Sequence, residues 1–352
     1  MQNQMSKPRI ALIVGNGLSI SFGHYSGLVS EWNSQEPLSW SIQCPSQNHD
    51  FLDSLHRLKL LHENHAGVPD FDVFAKALDG ALCESYGLDP FITPLEARHF
   101  LTIAFSHYSN EQITKLGTRK DWSWYRWIKF HKDHVACAFS LNYDLLLESI
   151  FDELSLQYYS LQVNHHGFGI PLVKPHGSVD FEIHPHSISY NPTYPLTNFV
   201  DLNNTPIIRL ESDNLIYPRS QPLCIVPNES NKYSEYQWVE PANQWFGAEI
   251  EECTHCIFVG ISYFECDRPE IDAILSSIPV NAEIVVANPN PPPEFMEKLR
   301  GRPLMVWDSY DGPIDSDGNI FHLKDAKTGN ALRKCICRSG LSYRYCCGAK
   351  LL

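Results

Sequence analysis

Apolar runs of strand length recur along the chain, and each is followed by small polar residues. Residues 10–14 are continuously apolar, which is typical of a buried parallel strand. Residues 135–141 alternate and then become apolar, and further apolar stretches occupy 170–173, 256–261 and 285–287. Because helical patterns also occur between these runs, the sequence predicts an α/β protein with a doubly wound parallel sheet.

A long stretch after the first strand and helix, about 33–130, differs from the rest of the chain in composition and in the spacing of its apolar residues. It is irregular in charge and rich in His and Trp, and its apolar residues recur at helical spacing. We therefore predict an α-helical insertion here. Four aromatic residues could be mistaken for a base-stacking platform, but at helical spacing they are more often core or an interface. They are Trp122, Trp124, Tyr125 and Trp127.

Two short polar segments stand where predicted strands end. Residues 15–19 form a glycine turn before a helix, where a ligand can approach the backbone and helix N–H groups can face an anion. Residues 140–144 follow the next strand and carry Asn142 and Asp144. Ligands bind at the carboxyl ends of strands in such sheets, so we expect both segments to face one crevice. The alternatives are an ordinary tight turn and simple capping of the helix that begins near Leu145.

A third segment, 174–178, places a histidine on a tight turn. Pro175 precedes His176 and Gly177 follows it, so we expect packing not to bury the imidazole easily. An imidazole exchanges its proton near neutral pH, which suits a general base acting on a sugar hydroxyl. The chain has 16 histidines, and the others nearby have no comparable setting.

The three segments, in this order, resemble the sirtuin-like NAD-binding family. Its motifs are a GAG-x-S loop, an Asn-x-Asp segment and a His-Gly pair, matched here by residues 15–19, 142–144 and 176–177. Residues 259–262 with Asp267 resemble the Gly-x-Ser strand end of the family, and 285–289 resemble its adenosine-side strand. The resemblance covers roughly residues 9–310 and implies a Rossmann-like sheet.

The resemblance also implies roles for individual residues. Asn142 and His176 would be catalytic, with Asn142 positioning a water molecule and His176 acting on a ribose hydroxyl of NAD. Asn16 replaces the usual alanine and would place a polar side chain near the phosphates. The residues implied to bind NAD are Gly15, Asn16, Gly17, Ser19, Asp144, Gly260, Ser262 and Asn288.

The implied reaction is cleavage of the nicotinamide–ribose bond, which needs an oriented ring and stabilisation of developing charge. Protein-deacylating sirtuins usually carry two Cys-x-x-Cys pairs after the His-Gly loop, whereas residues 180–239 hold only Cys224. Cys253 and Cys256 stand alone and are interpreted as buried structural thiols. This favours the NAD hydrolases of bacterial antiphage defence over a deacylase or ADP-ribosyltransferase. A non-catalytic NAD or ADP-ribose sensor is a further alternative.

Four cysteines near the C-terminus have the spacing of a structural zinc site. Cys335, Cys337, Cys346 and Cys347 could close a tetrahedral thiolate shell, and metal binding would supply folding free energy to so short a segment. The segment resembles the SecA-type C-terminal zinc motif.

We predict two domains, at 1–320 and 321–352, with a turn-rich acidic linker at 308–319 before the boundary. Residues of about 180–235 are expected to form loops or hairpins near the pocket, where they could act as a lid.

Charge and cysteine content narrow the partners and the compartment. The net charge is −14, and seven Lys or Arg against one Asp from Leu323 onward give +6, leaving −20 elsewhere. This charge would repel nucleic acid from the main domain, whereas the basic tail could dock a protein partner, an activator or a nucleic acid. The alternative is that the basic residues only keep a small metal site soluble. No segment reads as a membrane span, and 11 cysteines without disulfide-style spacing indicate the reducing cytoplasm. The resemblance leaves a homo-oligomer open.

Overall fold

The computed structural model describes residues 8–28, 40–43, 50–163, 167–182, 207–219, 222–226, 238–315, 317–321 and 323. The four C-terminal cysteines of the predicted zinc site lie outside these residues. The zinc site and the boundary at 320/321 therefore stay predictions.

The described residues alternate between strands and helices along most of the chain. The strands are β1 (Ile10–Val14), β2 (Val135–Ser140), β3 (Tyr158–Ser160), β4 (Ile170–Val173), β5 (Gly177–Glu182), β6 (Ile208–Arg209), β7 (Pro222–Cys224), β8 (His255–Val259), β9 (Glu283–Ala287) and β10 (Leu304–Trp307). The helices are α1 (Gly17–Ser26), α2 (His56–Asn64), α3 (Asp70–Ala77), α4 (Gly80–Ser85), α5 (Ile92–Leu116), α6 (Ser123–His131), α7 (Leu146–Glu153), α8 (Val239–Ile250), α9 (Arg268–Ser277) and α10 (Pro293–Lys298).

Seven strands form one sheet in the order β10-β9-β8-β1-β2-β4-β3. Every neighbouring pair in it is parallel. β1 lies between β2 on one side and β8 on the other, so the strand order reverses direction at β1. Such a switch point leaves a crevice at the carboxyl ends of the central strands, which is where open α/β sheets bind ligands.

Helices cover both faces of this sheet. Successive residues of a strand point to opposite faces, and in β1 Ile10, Leu12 and Val14 join one apolar core while Ala11 and Ile13 join another. The first core includes residues of α1, α2, α5, α6 and α7, and the second includes residues of α8, α9 and α10. The predicted doubly wound, Rossmann-like α/β fold is therefore confirmed.

The helical insertion lies between α1 and β2 and contributes α2 to α6. Its longest helix, α5, has 25 residues and packs on α1, α2, α3 and α7. Within the parts of the chain that the structure describes, no helix is long and apolar enough to cross a membrane. The four clustered aromatics of 122–127 are all buried, and Trp124 and Trp127 contact Trp307. All four belong to the first core, which agrees with that interpretation, and Trp124 also lines a cavity.

Part of 180–235, expected to form loops or hairpins, contributes to a small antiparallel sheet with the order β6-β5-β7, which agrees with the hairpin expectation. Most of the remaining residues of this segment lie outside the described ones, so its role as a lid stays a prediction. The segment 308–319, expected to be a linker, packs against the main domain: Ser123 donates to the Asp311 carbonyl, and Ile314 bridges Ile320. Phe321 and Leu323 are buried in the first core. Apolar contact continues through this stretch, so it does not act as a free spacer.

Candidate active site

A cavity of about 1000 Å³ opens at the carboxyl ends of the central strands. Its walls include loops that follow β1, β2, β8 and β9, as the switch point requires. Nine of the ten site residues predicted in the main domain line it, and Ser19 does not. The nine are Gly15, Asn16, Gly17, Asn142, Asp144, His176, Gly260, Ser262 and Asn288.

The glycines after β1 and β8 are required by contact between the two loops themselves. The Gly17 amide donates to the Gly260 carbonyl at 3.1 Å. A Cβ at Gly17 would lie 2.4 Å from the Gly260 Cα, and a Cβ at Gly260 would lie 2.2 Å from the Gly17 Cα. Gly260 also has a positive φ of 60°. We expected the glycines to admit a ligand to the backbone, and the structure adds a second reason for them, which is the close approach of the two loops.

Behind the cavity wall, Ser19 joins the two other polar residues of the motif loops. Its hydroxyl donates to Asp144 Oδ2 at 2.6 Å and accepts from Asn142 Nδ2 at 3.3 Å. Asn142 Nδ2 also donates to the Gly15 carbonyl at 3.1 Å, which fixes the orientation of the amide. Ser19 is fully buried and its hydroxyl is occupied by these neighbours. Where we expected Ser19 to cradle phosphates, the structure places it as a support for Asn142 and Asp144.

Asp144 has two roles in the geometry. Its Oδ1 accepts from the amide of Leu146, the first residue of α7, at 3.0 Å, so Asp144 holds the start of this helix as the capping alternative supposed, although the N-cap residue itself is Leu145. The carboxyl group is buried on the cavity wall. Burial raises the pKa of Asp144, and the Ser19 hydrogen bond and the charge of Lys174 oppose that rise.

His176 lines the cavity but is only 5% exposed, so the expectation that packing would leave its imidazole accessible is wrong. Strand β7 lies against the turn: the Ile225 amide donates to the His176 carbonyl at 2.8 Å. A Cβ at Gly177, where φ is 81°, would lie 1.9 Å from the Leu223 carbonyl oxygen, so only glycine allows this packing.

The surroundings of His176 favour a neutral imidazole. Burial lowers the pKa of His176, and the nearby Asp267 carboxylate acts in the opposite direction. His176 Nε2 lies 3.9 Å from Asp267 Oδ1, and both residues line the cavity. A neutral imidazole can accept a proton, and the carboxylate opposite it would stabilise the charged form that results.

The cavity wall formed by the loops after β8 and β9 is more open. Asn288 is half-buried; its Nδ2 donates to the Ile261 carbonyl at 3.0 Å and its Oδ1 accepts from the Asn290 amide at 2.9 Å. Asn290 Nδ2 donates to the hydroxyl of Tyr310, which is 63% exposed. Ser262 donates to Asp267 at 3.4 Å. These side chains bond to their own or adjoining loops, and the ring of Tyr310 lies exposed on the cavity wall.

Several lining residues had no signal in the sequence. Phe71, Phe105 and Trp124 reach the cavity from the helical insertion, and Tyr310 reaches it from the segment after β10. Apolar residues at helical spacing look the same whether they face a core or a cavity. The interpretation of Cys253 and Cys256 as buried thiols is confirmed, since they are 3% and 0% exposed.

No family model and no curated protein matches the chain. Among solved structures, it is similar to a sirtuin studied for substrate affinity (11% identity, 86% of this chain and 88% of that chain, TM-score 0.38). It is also similar to a Sir2 homologue in complex with NAD (10% identity, 86% and 85%, TM-score 0.37). A third is a Sir2 complex with a deacetylated p53 peptide and 3′-O-acetyl ADP-ribose (10% identity, 95% and 94%, TM-score 0.37). At TM-scores below 0.5 these likenesses carry no argument about what this chain does.

Proposed function

We propose that this protein is an NAD glycohydrolase that cleaves the nicotinamide–ribose bond to give nicotinamide and ADP-ribose. The observation that carries the proposal is the presence of Asn142 and His176 on the wall of one cavity at the switch point of the sheet. Their motifs occur in the order of the sirtuin-like family. The cavity volume, about 1000 Å³, lies at the upper end of the range for small-molecule sites.

The residues suit the chemistry of this bond. Nicotinamide leaves as a neutral molecule with the bonding electron pair, and the ribose carbon becomes cationic until a water oxygen attacks it. The Asn142 Nδ2 hydrogen bonds leave its amide oxygen as the polar group that can orient the ribose or the water. His176, held neutral by burial, would accept the proton from a ribose hydroxyl or from the water.

Fixed polar groups would stabilise the cationic ribose. The amide of Asn142 is held by Gly15 and Ser19, and the carboxyl of Asp144 is held by Ser19 and by the Leu146 amide. Groups that are already oriented need no rearrangement as charge develops, and their effect is larger in a site that excludes water. The buried setting of both side chains therefore supports cleavage of the nicotinamide–ribose bond.

The biological role that we propose is NAD depletion in prokaryotic antiphage defence. Residues 180–239 lack the paired cysteines of a zinc ribbon, which favours hydrolysis over peptide deacylation. The basic C-terminal segment with its four cysteines would bind structural zinc and dock a protein partner or activator.

The experiment is incubation of the purified chain with NAD, with and without candidate activators, followed by chromatography of nicotinamide and ADP-ribose. Asn142→Ala and His176→Ala should each abolish most of the release. His134→Ala is a suitable control, because His134 is half-buried just before β2, at the end of the strand opposite Asn142.

Each other outcome identifies an alternative. NAD consumption only with an acylated peptide would indicate a deacylase, and transfer of label from NAD to protein would indicate an ADP-ribosyltransferase. Tight binding of NAD without any product would indicate a sensor. Equal release by the wild type and both cavity variants would refute the proposed site.

A further inference from the structure

Lys174 is a buried cation two residues before His176 in the turn between β4 and β5. It is only 1% exposed and is not among the residues that line the cavity. Lysine is almost never fully buried unless it is paired, so its environment needs a reason.

The Lys174 ammonium group connects the two polar motif loops. Its Nζ donates to the Asp144 carbonyl oxygen at 2.6 Å and lies 3.4 Å from the Tyr143 carbonyl oxygen. These two carbonyls belong to the loop that carries Asn142. The Val179 amide, just beyond His176, also donates to the Tyr143 carbonyl at 3.0 Å. The loop that carries Asn142 is thus attached to the loop that carries His176 through backbone oxygens.

Glu148 on α7 holds the same ammonium group. Its Oε1 accepts from Lys174 Nζ at 2.9 Å, and the side chains of Lys174 and Glu148 are 1% and 4% exposed. An ammonium group has three donors and no acceptor, so it can serve two carbonyls and one carboxylate together. A neutral side chain of the same length has no equivalent set of donors.

Stability alone does not explain such a pair. Removing two charges from water costs about as much free energy as their attraction returns, and replacing both with apolar residues is often neutral or stabilising. What an apolar pair lacks is directional hydrogen bonding to the carbonyls of residues 143 and 144. The directional contacts therefore point to geometry as the reason for the pair.

We propose that Lys174, held by Glu148, is a positioning residue that sets the separation between Asn142 and His176. The inference rests on the proposed function for its catalytic consequence, although the loop attachment itself is independent of any substrate. Lys174 acts through the two motif loops and does not contact NAD.

The test compares Lys174→Met with the double variant Lys174→Met/Glu148→Leu. The single variant leaves the Glu148 carboxylate buried without its cation, and its melting temperature should fall by about 5–15 °C. The double variant removes both charges, and most of the stability should return. Its kcat for nicotinamide release should still be roughly 10- to 100-fold below that of the wild type, because misplaced groups lose near-attack geometry. KM should change less than threefold, since Lys174 does not line the cavity.

Arg57→Met is the control variant: it should destabilise the fold without moving Asn142 or His176. Arg57 pairs with buried Glu96 at 2.8 Å in the helical insertion, and neither residue lines the cavity. This variant should be destabilised while its kcat stays close to that of the wild type. A double variant of Lys174 and Glu148 with restored stability and wild-type kcat would overturn the proposal, because the pair would then be only structural.

Hydrogen exchange without NAD separates this proposal from the proposed function. In the double variant the Val179 and Leu146 amides should exchange at least roughly tenfold faster, whereas the Leu141 amide, which donates to Val14 in the sheet, should not change. Unchanged exchange at Val179 and Leu146 would overturn the positioning role. If the wild type releases no nicotinamide, the proposed function fails, and exchange still decides the role of Lys174.

A second variant covers the case in which the double variant does not fold. Glu148→Gln keeps an acceptor for Lys174, so both its amide exchange and its kcat should be closer to the wild type than those of Lys174→Met.

Discussion

The cavity has two walls that differ in how their polar side chains are held. The buried wall is formed by Asn142, Asp144 and His176, which are 7%, 3% and 5% exposed. The open wall is formed by Ser262, Asn288 and Tyr310, of which the first two are half-buried and the third is exposed. Both walls stand at carboxyl ends of strands in the same sheet, so the strand order alone does not explain the difference.

The difference lies in what supports each wall. On the buried wall, Ser19 of α1 bonds the side chains of Asn142 and Asp144, and Lys174 bonds the backbone carbonyls of the loop that carries them. The side chains of the open wall bond only to their own or adjoining loops. Buried polar networks with satisfied partners are rigid, and such groups can stabilise developing charge without rearrangement. We infer that the buried wall performs the chemistry and that the open wall contributes binding.

We expect the two walls to differ most in which kinetic constant a substitution changes. His176→Ala should lower kcat for nicotinamide release by about 10²- to 10⁴-fold, the usual contribution of a general base. Asn288→Ala should mainly raise KM. Steady-state kinetics of both variants measures this contrast, and a kcat loss for Asn288→Ala as large as that for His176→Ala would remove the distinction between the walls.

Gly260→Ala tests the contact between the glycine loops that lie between the walls. A Cβ there would approach the Gly17 Cα to 2.2 Å at a positive φ of 60°. Backbone strain of this kind costs of the order of 1–3 kcal/mol, and the clash adds to it. Denaturant unfolding should show a loss of at least about 2 kcal/mol. The matched control is Gly301→Ala, which shares a positive φ of 82° but has no atom within 4 Å of the added Cβ; equal losses would show that the loop contact is unimportant.

A pair of serine variants compares the supports of the two walls. Ser19→Ala leaves the buried Asp144 carboxylate without its 2.6 Å hydrogen bond, which should cost about 1–3 kcal/mol of stability and roughly tenfold in kcat. Ser262→Ala removes a half-buried hydrogen bond of 3.4 Å and should cost less than about 1 kcal/mol. Thermal unfolding and nicotinamide release check both values, and a larger effect for Ser262 would reverse the assignment of the walls.

The smallest expected effect is a pH-dependent change in melting temperature caused by Glu270, which lies in the first turn of α9, beside the open wall. Burial raises the pKa of Glu270 from 4.5 to about 7. Because the folded-state pKa is raised, the stability linked to the protonated carboxyl is present below pH 4.5 and is lost as the pH rises to about 7. Glu270→Gln should therefore raise the melting temperature at pH 8 by roughly 2–4 °C and change it little at pH 4.5. The same melting temperature shift at both pH values would contradict the buried acid.

The sequence predicted those parts of the fold that follow from local pattern. β1, β2, β4, β8 and β9 are apolar because buried parallel strands contact helices on both faces. The small sheet of β5, β6 and β7 was predicted only as loops or hairpins, because β6 and β7 have two and three residues and leave too short a pattern.

The residues of the candidate site that directly follow a predicted strand could be predicted from the sequence. Nine predicted residues line the cavity because the carboxyl ends of neighbouring parallel strands meet at one edge. The supporting position of Ser19, the burial of His176 and the contacts of Lys174 depend on residues more than 25 positions away along the chain. Local pattern carries no information on such contacts, so only the three-dimensional structure revealed them.

If Asn142 and His176 act on the same ribose, bound NAD must place its nicotinamide ribose between them. The most direct measurement is a crystal structure of the His176→Ala variant crystallised with NAD. This variant should bind NAD without cleaving it. We expect the nicotinamide ribose to lie between Asn142 and position 176, with the adenosine end toward Ser262 and Tyr310. NAD bound in the reverse orientation, or bound outside this cavity, would contradict it.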